Sequence, residues 1–175
     1  MKIIKKIFND ALLIEPKKFH DERGFFYEHY NKKIFNNLLG KEIDFVQDNF
    51  SLSYKGVFRG IHYQKKPYAQ AKLVSVSHGA VIDYIVDLRE DSESYLKWKK
   101  FTLSDKNGYQ LWIPEGFGHG FLAISDTVHF LYKTTEFYNK SSEECIKWND
   151  PKIGLKFDVN FDILVSDKDQ EGKLL

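Results

Sequence analysis

Short runs of alternating apolar and polar residues, separated by turns that contain glycine or proline, dominate this sequence. Residues 71–89 give two such runs around His78-Gly79, residues 109–124 give a strand, a turn and a strand, and residues 127–138 alternate throughout. The first pair of runs predicts a hairpin at His78-Gly79. Many short strands with little helix are typical of closed or sandwiched antiparallel folds, so the sequence predicts an all-β protein.

One segment has helical periodicity instead. Residues 31–40 place three apolar side chains at helical spacing, and Gly40 can end the helix in a left-handed conformation. Acidic and proline residues in segment 148–155 predict an irregular or partly helical C-terminal tail that packs over the core. The chain contains no internal repeat or flexible linker, so we expect residues 1–175 to form one domain.

Composition limits the partners and the compartment. The formal net charge is +1, with no basic stripe, so we expect no nucleic-acid partner. Cys145 is the single cysteine, which excludes an internal disulfide and a multi-cysteine zinc site and is compatible with a reducing compartment. No run approaches the ~20 apolar residues that span a bilayer, and the N-terminus lacks the features of a signal peptide. We therefore predict a cytoplasmic protein without a membrane partner.

A cation and an imidazole interrupt an otherwise apolar strand at residues 57–64, where Arg59 and His62 stand among Val, Phe and Ile. A histidine in such a strand is more often a hydrogen-bonded structural residue than a catalyst. An arginine there often ends a strand at the surface. The interpretation of this segment therefore depends on the other polar residues of the chain.

The turn between the two strands of segment 109–124 suggests which β fold is present. Pro114, Gly116 and His119 form a Pro-x-Gly-x-x-His pattern that resembles the second signature of the cupins, which are double-stranded jelly rolls. Many cupins hold a metal through a His-x-His pair, a glutamate and this histidine. Here His62 is followed by Gln64 in place of the second histidine. A single imidazole is a poor site for a divalent ion, so we expect no metal.

Polar residues that interrupt strand-like runs provide groups for acid–base chemistry. Inward-facing positions of a jelly roll line a cavity, so charged side chains there face the cavity or are paired. The set comprises Arg59, His62, Lys72, Asp83, His119, Tyr132 and Asp169. An imidazole base, carboxylates, cationic donors and a phenol suit proton removal beside a carbonyl, stabilisation of the enolate and return of a proton from the opposite face.

Nine ordered blocks across nearly the whole chain resemble the dTDP-4-dehydrorhamnose 3,5-epimerase family of nucleotide-sugar epimerases. The blocks are DERGFFYE (21–28), QDNFSLS (47–53), GVFRGIHYQ (56–64), QAKLVSVSHG (70–79), VDLR (86–89), PEGFGHGF (114–121), LYKTTEFY (131–138), KWNDP (147–151) and VSDKD (165–169). The resemblance implies a cupin-type jelly roll, a homodimer, no cofactor and no metal. It implies an isomerase that inverts carbons 3 and 5 of a dTDP-4-keto-6-deoxyhexose, on a route to dTDP-L-rhamnose and carbohydrates such as lipopolysaccharide.

The resemblance also implies roles for individual residues. It makes His62 the general base and Asp169 its partner carboxylate. Lys72 would steady the enolate, and Tyr132 would be the acid on the opposite face. The implied substrate-binding residues are Arg23, Phe26, Glu28, Gln47, Asn49, Arg59, Asp83, His119 and Tyr138. Within this set, the residues of the 21–28 block would hold the nucleotide, and a neighbouring subunit would supply part of the binding surface. Tyr138 would flank the nucleobase.

Four positions depart from the family pattern. Phe50 and Leu52 stand where relatives commonly carry a histidine and a basic residue, and Tyr27 and His78 also differ. A different nucleotide or 4-keto sugar would be compatible with these changes. The alternatives are an enzyme that inverts one carbon or moves the keto group, a non-catalytic sugar-binding jelly roll, and a metal-dependent cupin oxygenase. Tyr132 favours inversion of both carbons, and the missing metal ligands disfavour the oxygenase.

Overall fold

The structure is a computed structural model that describes residues 1–175 as fourteen strands and two short helices. The strands are β1 (Lys2–Ile7), β2 (Ala11–Glu15), β3 (Phe19–Asp21), β4 (Gly24–Phe26), β5 (Gln47–Tyr54), β6 (Val57–Gln64), β7 (Lys72–His78), β8 (Ala80–Asp87), β9 (Trp98–Ser104), β10 (Gln110–Ile113), β11 (Phe117–Ala123), β12 (Thr127–Thr134), β13 (Glu143–Cys145) and β14 (Leu164–Val165). The helices are α1 (Lys32–Leu39) and α2 (Asp167–Gln170). Neither helix is long and apolar enough to cross a membrane.

Most strands belong to two sheets that pack face to face. The first sheet has the order β1-β2-β10-β7-β12-β5, and the second has the order β13-β6-β11-β8-β9, with β14 beside β6. Fifteen buried apolar residues from both sheets form the core between them. Phe121 of the second sheet stacks on Phe130 of the first, with ring centroids 4.1 Å apart. This arrangement is a jelly roll, so the all-β prediction is confirmed.

Tight turns carry the chain from one sheet to the other, and this corrects the predicted hairpin at His78-Gly79. β7 pairs with β10 and β12, whereas β8 pairs with β11 and β9. Each strand buries an apolar face, and crossing between sheets lets those faces cover one another, which pairing within one sheet would not do. Gly79 makes the crossing at φ +78°, where a Cβ would lie 2.3 Å from the Thr127 carbonyl oxygen.

The helix prediction for residues 31–40 is confirmed by α1. The Asn31 side chain accepts a hydrogen bond from the Ile34 amide and caps the first turn. Gly40 ends the helix in the left-handed region at φ 68° and donates its amide to the Asn36 carbonyl. The buried Phe35 anchors the helix by packing edge-on against Trp112 of β10. The helix therefore covers the first sheet.

The alternation predicted over residues 127–138 is wrong beyond Thr134, where β12 ends. The Thr134 hydroxyl and the Gln70 side-chain amide both donate to the Glu136 carbonyl, which turns the chain out of the sheet. The tail prediction is confirmed, because the C-terminal segment has little regular structure and packs on the outer face of the second sheet. Helix α2 lies near the end of that tail and brings Asp169 to β6.

Candidate active site

A cavity of about 220 Å³ lies between the two sheets. Its lining comes from β5, β7 and β12 of the first sheet and from β6 and β11 of the second: Ser51, Arg59, His62, Lys72, His119, Phe121, Phe130 and Tyr132. Five of the residues predicted from the sequence therefore meet in one place. A larger cleft of about 820 Å³ beside α1 contains no imidazole, thiol or phenol, so it offers no comparable acid–base groups.

A β-bulge in β6 turns Arg59 and His62 toward the cavity together. His62 pairs with His119 and Arg59 pairs with Phe121, so Gly60 and Ile61 lie opposite the single residue Gly120. Side chains three residues apart in a regular strand point to opposite faces of the sheet. The extra residue of the bulge changes this, so the side chains of Arg59 and His62 point to the same face. Ile61 instead enters the outer apolar cluster beneath the tail. The bulge explains how a cation and an imidazole can interrupt an apolar strand and still share one face.

His62 and Asp169 form a hydrogen-bonded pair at the cavity wall. The distance from His62 Nε2 to Asp169 Oδ1 is 2.5 Å, and the amide of Gly60 donates to Asp169 Oδ2 at 3.3 Å. Burial raises the pKa of Asp169, but the hydrogen bond and charge of His62 outweigh it and hold that pKa below its ordinary value. Asp169 is therefore a carboxylate at neutral pH, and it fixes the orientation of the imidazole.

A second imidazole–carboxylate pair is buried beside the cavity, next to a lysine. His119 Nε2 and Asp83 Oδ2 are 2.9 Å apart, and Asp83 Oδ1 is buried without a hydrogen-bond partner. Part of Lys72 is accessible to solvent, but its ammonium group is surrounded by protein atoms. Burial lowers the pKa of Lys72 to about 8, against the attraction of Asp83 and Glu143. The ammonium form therefore still predominates at pH 7.

Tyr132 lies on the wall opposite His62. It belongs to β12 of the first sheet, whereas His62 belongs to β6 of the second, and both line the same cavity. Burial raises the pKa of Tyr132 above its ordinary value, although the charge of Arg59 opposes this. The phenol is therefore protonated at neutral pH. An imidazole and a phenol consequently face one cavity from opposite sheets.

Three predicted binding residues form a hydrogen-bonded group along β5 and the loop after β12. The Gln47 side-chain amide donates to Asn49 Oδ1 at 2.7 Å, and Gln47 Oε1 accepts from the Tyr138 amide at 3.0 Å. The Tyr138 hydroxyl donates to Glu143, which also pairs with Lys168. Asn49 donates to the Tyr132 carbonyl at 3.4 Å. These contacts connect the group to the strand that carries Tyr132.

The remaining predicted residues do not reach the cavity within this chain. Arg23 and Phe26 belong to the separate β3–β4 hairpin and are exposed. Arg23 forms an ion pair with Asp21 at 2.6 Å, and Glu28 accepts a hydrogen bond from Asn31. The predicted nucleotide-binding block is thus placed apart from the predicted catalytic residues.

The departures from the family pattern lie away from the cavity lining. Alternation along β5 exposes Phe50 and Leu52, and Phe50 packs edge-on against His129. His78 is exposed at the end of β7. Gln64, which replaces a metal-binding histidine of many cupins, is buried and hydrogen-bonds to the backbone of residues 68, 137 and 139. Its role in this fold is to hold the loop that follows β12.

Sequence reasoning missed four residues near the site. Ser51 lines the cavity with a buried hydroxyl that has no hydrogen-bond partner, and its alternation with Gln47 and Asn49 could have revealed it. Cys145 donates its thiol to Asp169 Oδ1 at 3.5 Å, and burial raises its pKa to about 12. The other two are Glu143 and Lys168. No motif marked Cys145 and Glu143, which reach the site through the β13–β6 register. Lys168 lies in the VSDKD block, but its ion pair with Glu143 depends on the fold of the tail.

The fold and the cavity define a cupin-type jelly roll whose interior holds imidazole, ammonium and phenol groups. The profile of the dTDP-4-dehydrorhamnose 3,5-epimerase family matches residues 5–175. The dTDP-4-dehydrorhamnose 3,5-epimerase of Shigella flexneri is 50% identical over 173 residues, covering 99% of this chain and 95% of the relative. The chain belongs to the dTDP-4-dehydrorhamnose 3,5-epimerase family, and it is an isomerase of the epimerase type.

Two solved structures extend the comparison. The dTDP-6-deoxy-D-glucose-3,5-epimerase of Legionella pneumophila, in complex with dTDP-4-keto-L-rhamnose, is 44% identical with a TM-score of 0.94, covering 99% of this chain and 92% of that one. ChmJ, a 3'-monoepimerase from Streptomyces bikiniensis in complex with dTDP-quinovose, is 27% identical with a TM-score of 0.89, covering 94% of this chain and 83% of that one. The likeness is therefore greater to the 3,5-epimerase than to the single-carbon enzyme.

Proposed function

We propose that this protein inverts carbons 3 and 5 of a dTDP-linked 4-keto-6-deoxyhexose, converting dTDP-4-dehydro-6-deoxy-D-glucose into dTDP-4-dehydro-L-rhamnose. The observation that carries the proposal is the presence of His62 with Asp169 on one wall of a cavity and Tyr132 on the other. Carbons 3 and 5 both adjoin the ketone at carbon 4, so one carbonyl acidifies both C–H bonds. One base and one enolate donor can therefore serve both inversions.

His62 is the base in this proposal. Because Nε2 donates to the Asp169 carboxylate, Nδ1 is the unprotonated nitrogen that can accept the substrate proton. The imidazolium that results is stabilised by the adjacent negative charge. The C–H electron pair moves to the carbonyl oxygen as the enolate forms, and the Lys72 ammonium stabilises that oxygen. The His119–Asp83 pair would support this end of the cavity.

Tyr132 returns a proton from the opposite face. Its hydroxyl hydrogen passes to the carbon as the enolate collapses to the ketone, and the configuration is inverted. The tyrosinate then regains a proton and the imidazolium loses one to solvent, so the cycle is balanced. The same steps at the second carbon complete the reaction. The raised pKa of Tyr132 keeps it in the acid form that this step requires.

The nucleotide would lie along the group formed by Gln47, Asn49 and Tyr138, with Arg59 near the pyrophosphate or the sugar. Arg59 donates to the Ser53 hydroxyl and to the Leu52 carbonyl, which anchors one side of its guanidinium. The exposed β3–β4 hairpin, with Arg23, Phe26 and Glu28, would bind the nucleotide of a neighbouring subunit. The working unit would then be a homodimer of single-domain subunits in the cytoplasm, serving dTDP-L-rhamnose and lipopolysaccharide synthesis without a cofactor.

The product configuration tests the proposal. The purified protein is incubated with dTDP-4-keto-6-deoxy-D-glucose. In the proton NMR spectrum of the product, the H2–H3 coupling reports the configuration at carbon 3, and nuclear Overhauser contacts of H5 report the configuration at carbon 5. Inversion at both carbons is the expected result. Inversion at one carbon would identify a single-carbon epimerase, and migration of the ketone would identify a keto-isomerase. Binding without conversion would identify a sugar-binding jelly roll. Each of these three results would contradict the proposal.

A further inference from the structure

Cys145 has no part in the proposed proton transfer, yet it lies against the residues that perform it. β13 is the edge strand beside β6, and Cys145 is the direct cross-strand partner of His62. Directly opposed residues in a sheet have neighbouring side chains. Asp169 arrives from α2, and donor atoms of the three side chains all lie within 4.8 Å of one another. Three separate elements thus place an imidazole, a thiol and a carboxylate together.

We propose that His62, Cys145 and Asp169 form an inhibitory binding site for Zn²⁺ and similar thiophilic divalent ions. Imidazole nitrogen, thiolate sulfur and carboxylate oxygen are the three donor types that zinc uses in proteins. Three such donors with an open fourth position suffice for an accessible zinc site. Mg²⁺ and Ca²⁺ prefer sets of oxygen ligands, and this site offers a single carboxylate, so they should not compete.

One observed distance already fits a tetrahedral zinc site, and a second must lengthen to fit it. Tetrahedral geometry with ordinary bond lengths puts the sulfur and the carboxylate oxygen roughly 3.6 Å apart, and the nitrogen and that oxygen roughly 3.4 Å apart. Cys145 Sγ and Asp169 Oδ1 are already 3.5 Å apart. The 2.5 Å contact between His62 Nε2 and Asp169 Oδ1 must lengthen, and all three donor atoms already lie within 4.8 Å of one another. His62 lines the cavity and its side chain is 27% exposed, so its ring has room to move.

Metal binding replaces the thiol proton of Cys145 and moves the proton of His62. The thiol hydrogen goes to solvent, while the His62 hydrogen passes from Nε2 to Nδ1, so that a neutral imidazole, a thiolate and a carboxylate hold the ion. No electron is transferred. Affinity should therefore rise with pH as the thiol proton becomes easier to displace. The bound metal would also separate His62 from its carboxylate partner and make the imidazole a poorer base. The inhibition, though not the binding, rests on the function proposed above.

Cadmium binding provides a direct test, because a cadmium–thiolate bond has its own ultraviolet absorption and Cys145 is the only cysteine of the chain. Titration of the chelator-treated protein with Cd²⁺ should produce this band with a one-to-one endpoint. Cys145→Ser should abolish the band while keeping a hydroxyl donor beside Asp169. His62→Ala should weaken binding at least ~10-fold, since even loss of a metal's outer-shell partner has that effect. Mg²⁺ should not displace the ion.

Activity measurements separate this inference from the proposed function. Zn²⁺ should inhibit the wild-type enzyme reversibly, a chelator should restore full activity, and Cys145→Ser should resist inhibition relative to its own uninhibited rate. An absent cadmium band, or a band with unchanged affinity in His62→Ala, would overturn the metal site. Cadmium and zinc binding with unchanged turnover would uphold the site and overturn the role of His62 as the base.

Discussion

At the scale of single residues, the proposed mechanism gives Tyr132 the return of the proton and His62 its removal, so a change at Tyr132 separates the two steps. Tyr132→Phe leaves His62, Asp169 and Lys72 in place, so the enolate can still form. The variant lacks the hydroxyl that delivers a proton to the opposite face. We predict that it keeps measurable solvent exchange but forms little doubly inverted product, or accumulates a singly inverted sugar. Mass spectrometry and NMR of the product measure both outcomes, and a wild-type yield of the doubly inverted sugar would refute the assigned role.

Lys72 should set the alkaline limit of activity. Burial lowers its pKa to about 8, so the ammonium proposed to stabilise the enolate predominates at pH 7 and is lost as the pH rises through this value. We predict that kcat falls above about pH 8. Lys72→Arg is the matched control, because a guanidinium stays charged over this range. That variant should be slower but should lose the alkaline decline, and an unchanged decline would assign it to another group.

The identities of the chemical groups were predictable from the sequence, but their full surroundings were not. His62, Lys72 and Tyr132 interrupt apolar runs, and such interruptions are visible in a single sequence. Cys145 reaches the same place only because the three-residue strand β13 pairs with β6 in a particular register. No local periodicity encodes a register between distant strands, so its contact with Asp169 could be seen only in the folded chain.

At the scale of secondary-structure elements, the bulge in β6 is the feature on which the site depends. Gly60 has a φ of +141°, and a Cβ there would lie 2.6 Å from Gly120 Cα. We predict that Gly60→Ala destabilises the fold by more than the ~1–3 kcal/mol of an ordinary strained conformation. It should also lower activity, because Arg59 and His62 would lose their common orientation. Chemical unfolding and the exchange assay measure the two effects.

Gly24→Ala is the control for that experiment. Gly24 has a φ of +128°, but no atom lies within 4 Å of the position that a Cβ would occupy, so the change adds conformational strain without a clash. Its loss of stability should therefore be the smaller of the two. Equal losses for Gly24→Ala and Gly60→Ala, or full activity in the latter, would show that the close packing of the bulge is unimportant.

Individual strands were easier to predict than their partners. The sequence located β7 and β8 correctly, because alternation and a glycine between them are local signals. The predicted pairing of β7 with β8 was wrong, because a glycine turn is compatible both with a hairpin and with a crossing between sheets. The choice depends on burying the apolar faces of both strands against opposing layers. That is a property of the complete jelly roll, and the cupin-like turn at 114–119 was the indication available in the sequence.

At the scale of the whole molecule, the separation of the β3–β4 hairpin from the cavity suggests a site shared between two subunits. Phe19, Phe25 and Phe26 are all exposed there, as expected of a surface that a partner covers. We predict a homodimer in which Arg23 of one subunit serves the cavity of the other. Arg23→Ala and His62→Ala should each be impaired, and mixing them under conditions of subunit exchange should restore activity.

The restoration arises because one site of the mixed dimer has both an intact cavity and an intact hairpin. Mixing His62→Ala with Tyr132→Phe is the control, since both changes lie in the cavity of their own subunit and every mixed site keeps one defect. Light scattering should show a dimer in each case. A fully active monomer, or no recovery in the first mixture after confirmed subunit exchange, would contradict the shared site.

The most direct test of the proposed chemistry counts the hydrogens that the product takes from solvent. Wild-type protein and a dTDP-4-keto-6-deoxy sugar are incubated in deuterated water, and mass spectrometry and NMR locate the deuterium. Proton removal beside the ketone predicts one deuteron at carbon 3 and one at carbon 5. His62→Ala should slow both exchanges by at least ~10²-fold, the effect expected on losing a general base. Doubly inverted product without deuterium at these carbons, or wild-type exchange rates in His62→Ala, would contradict the mechanism.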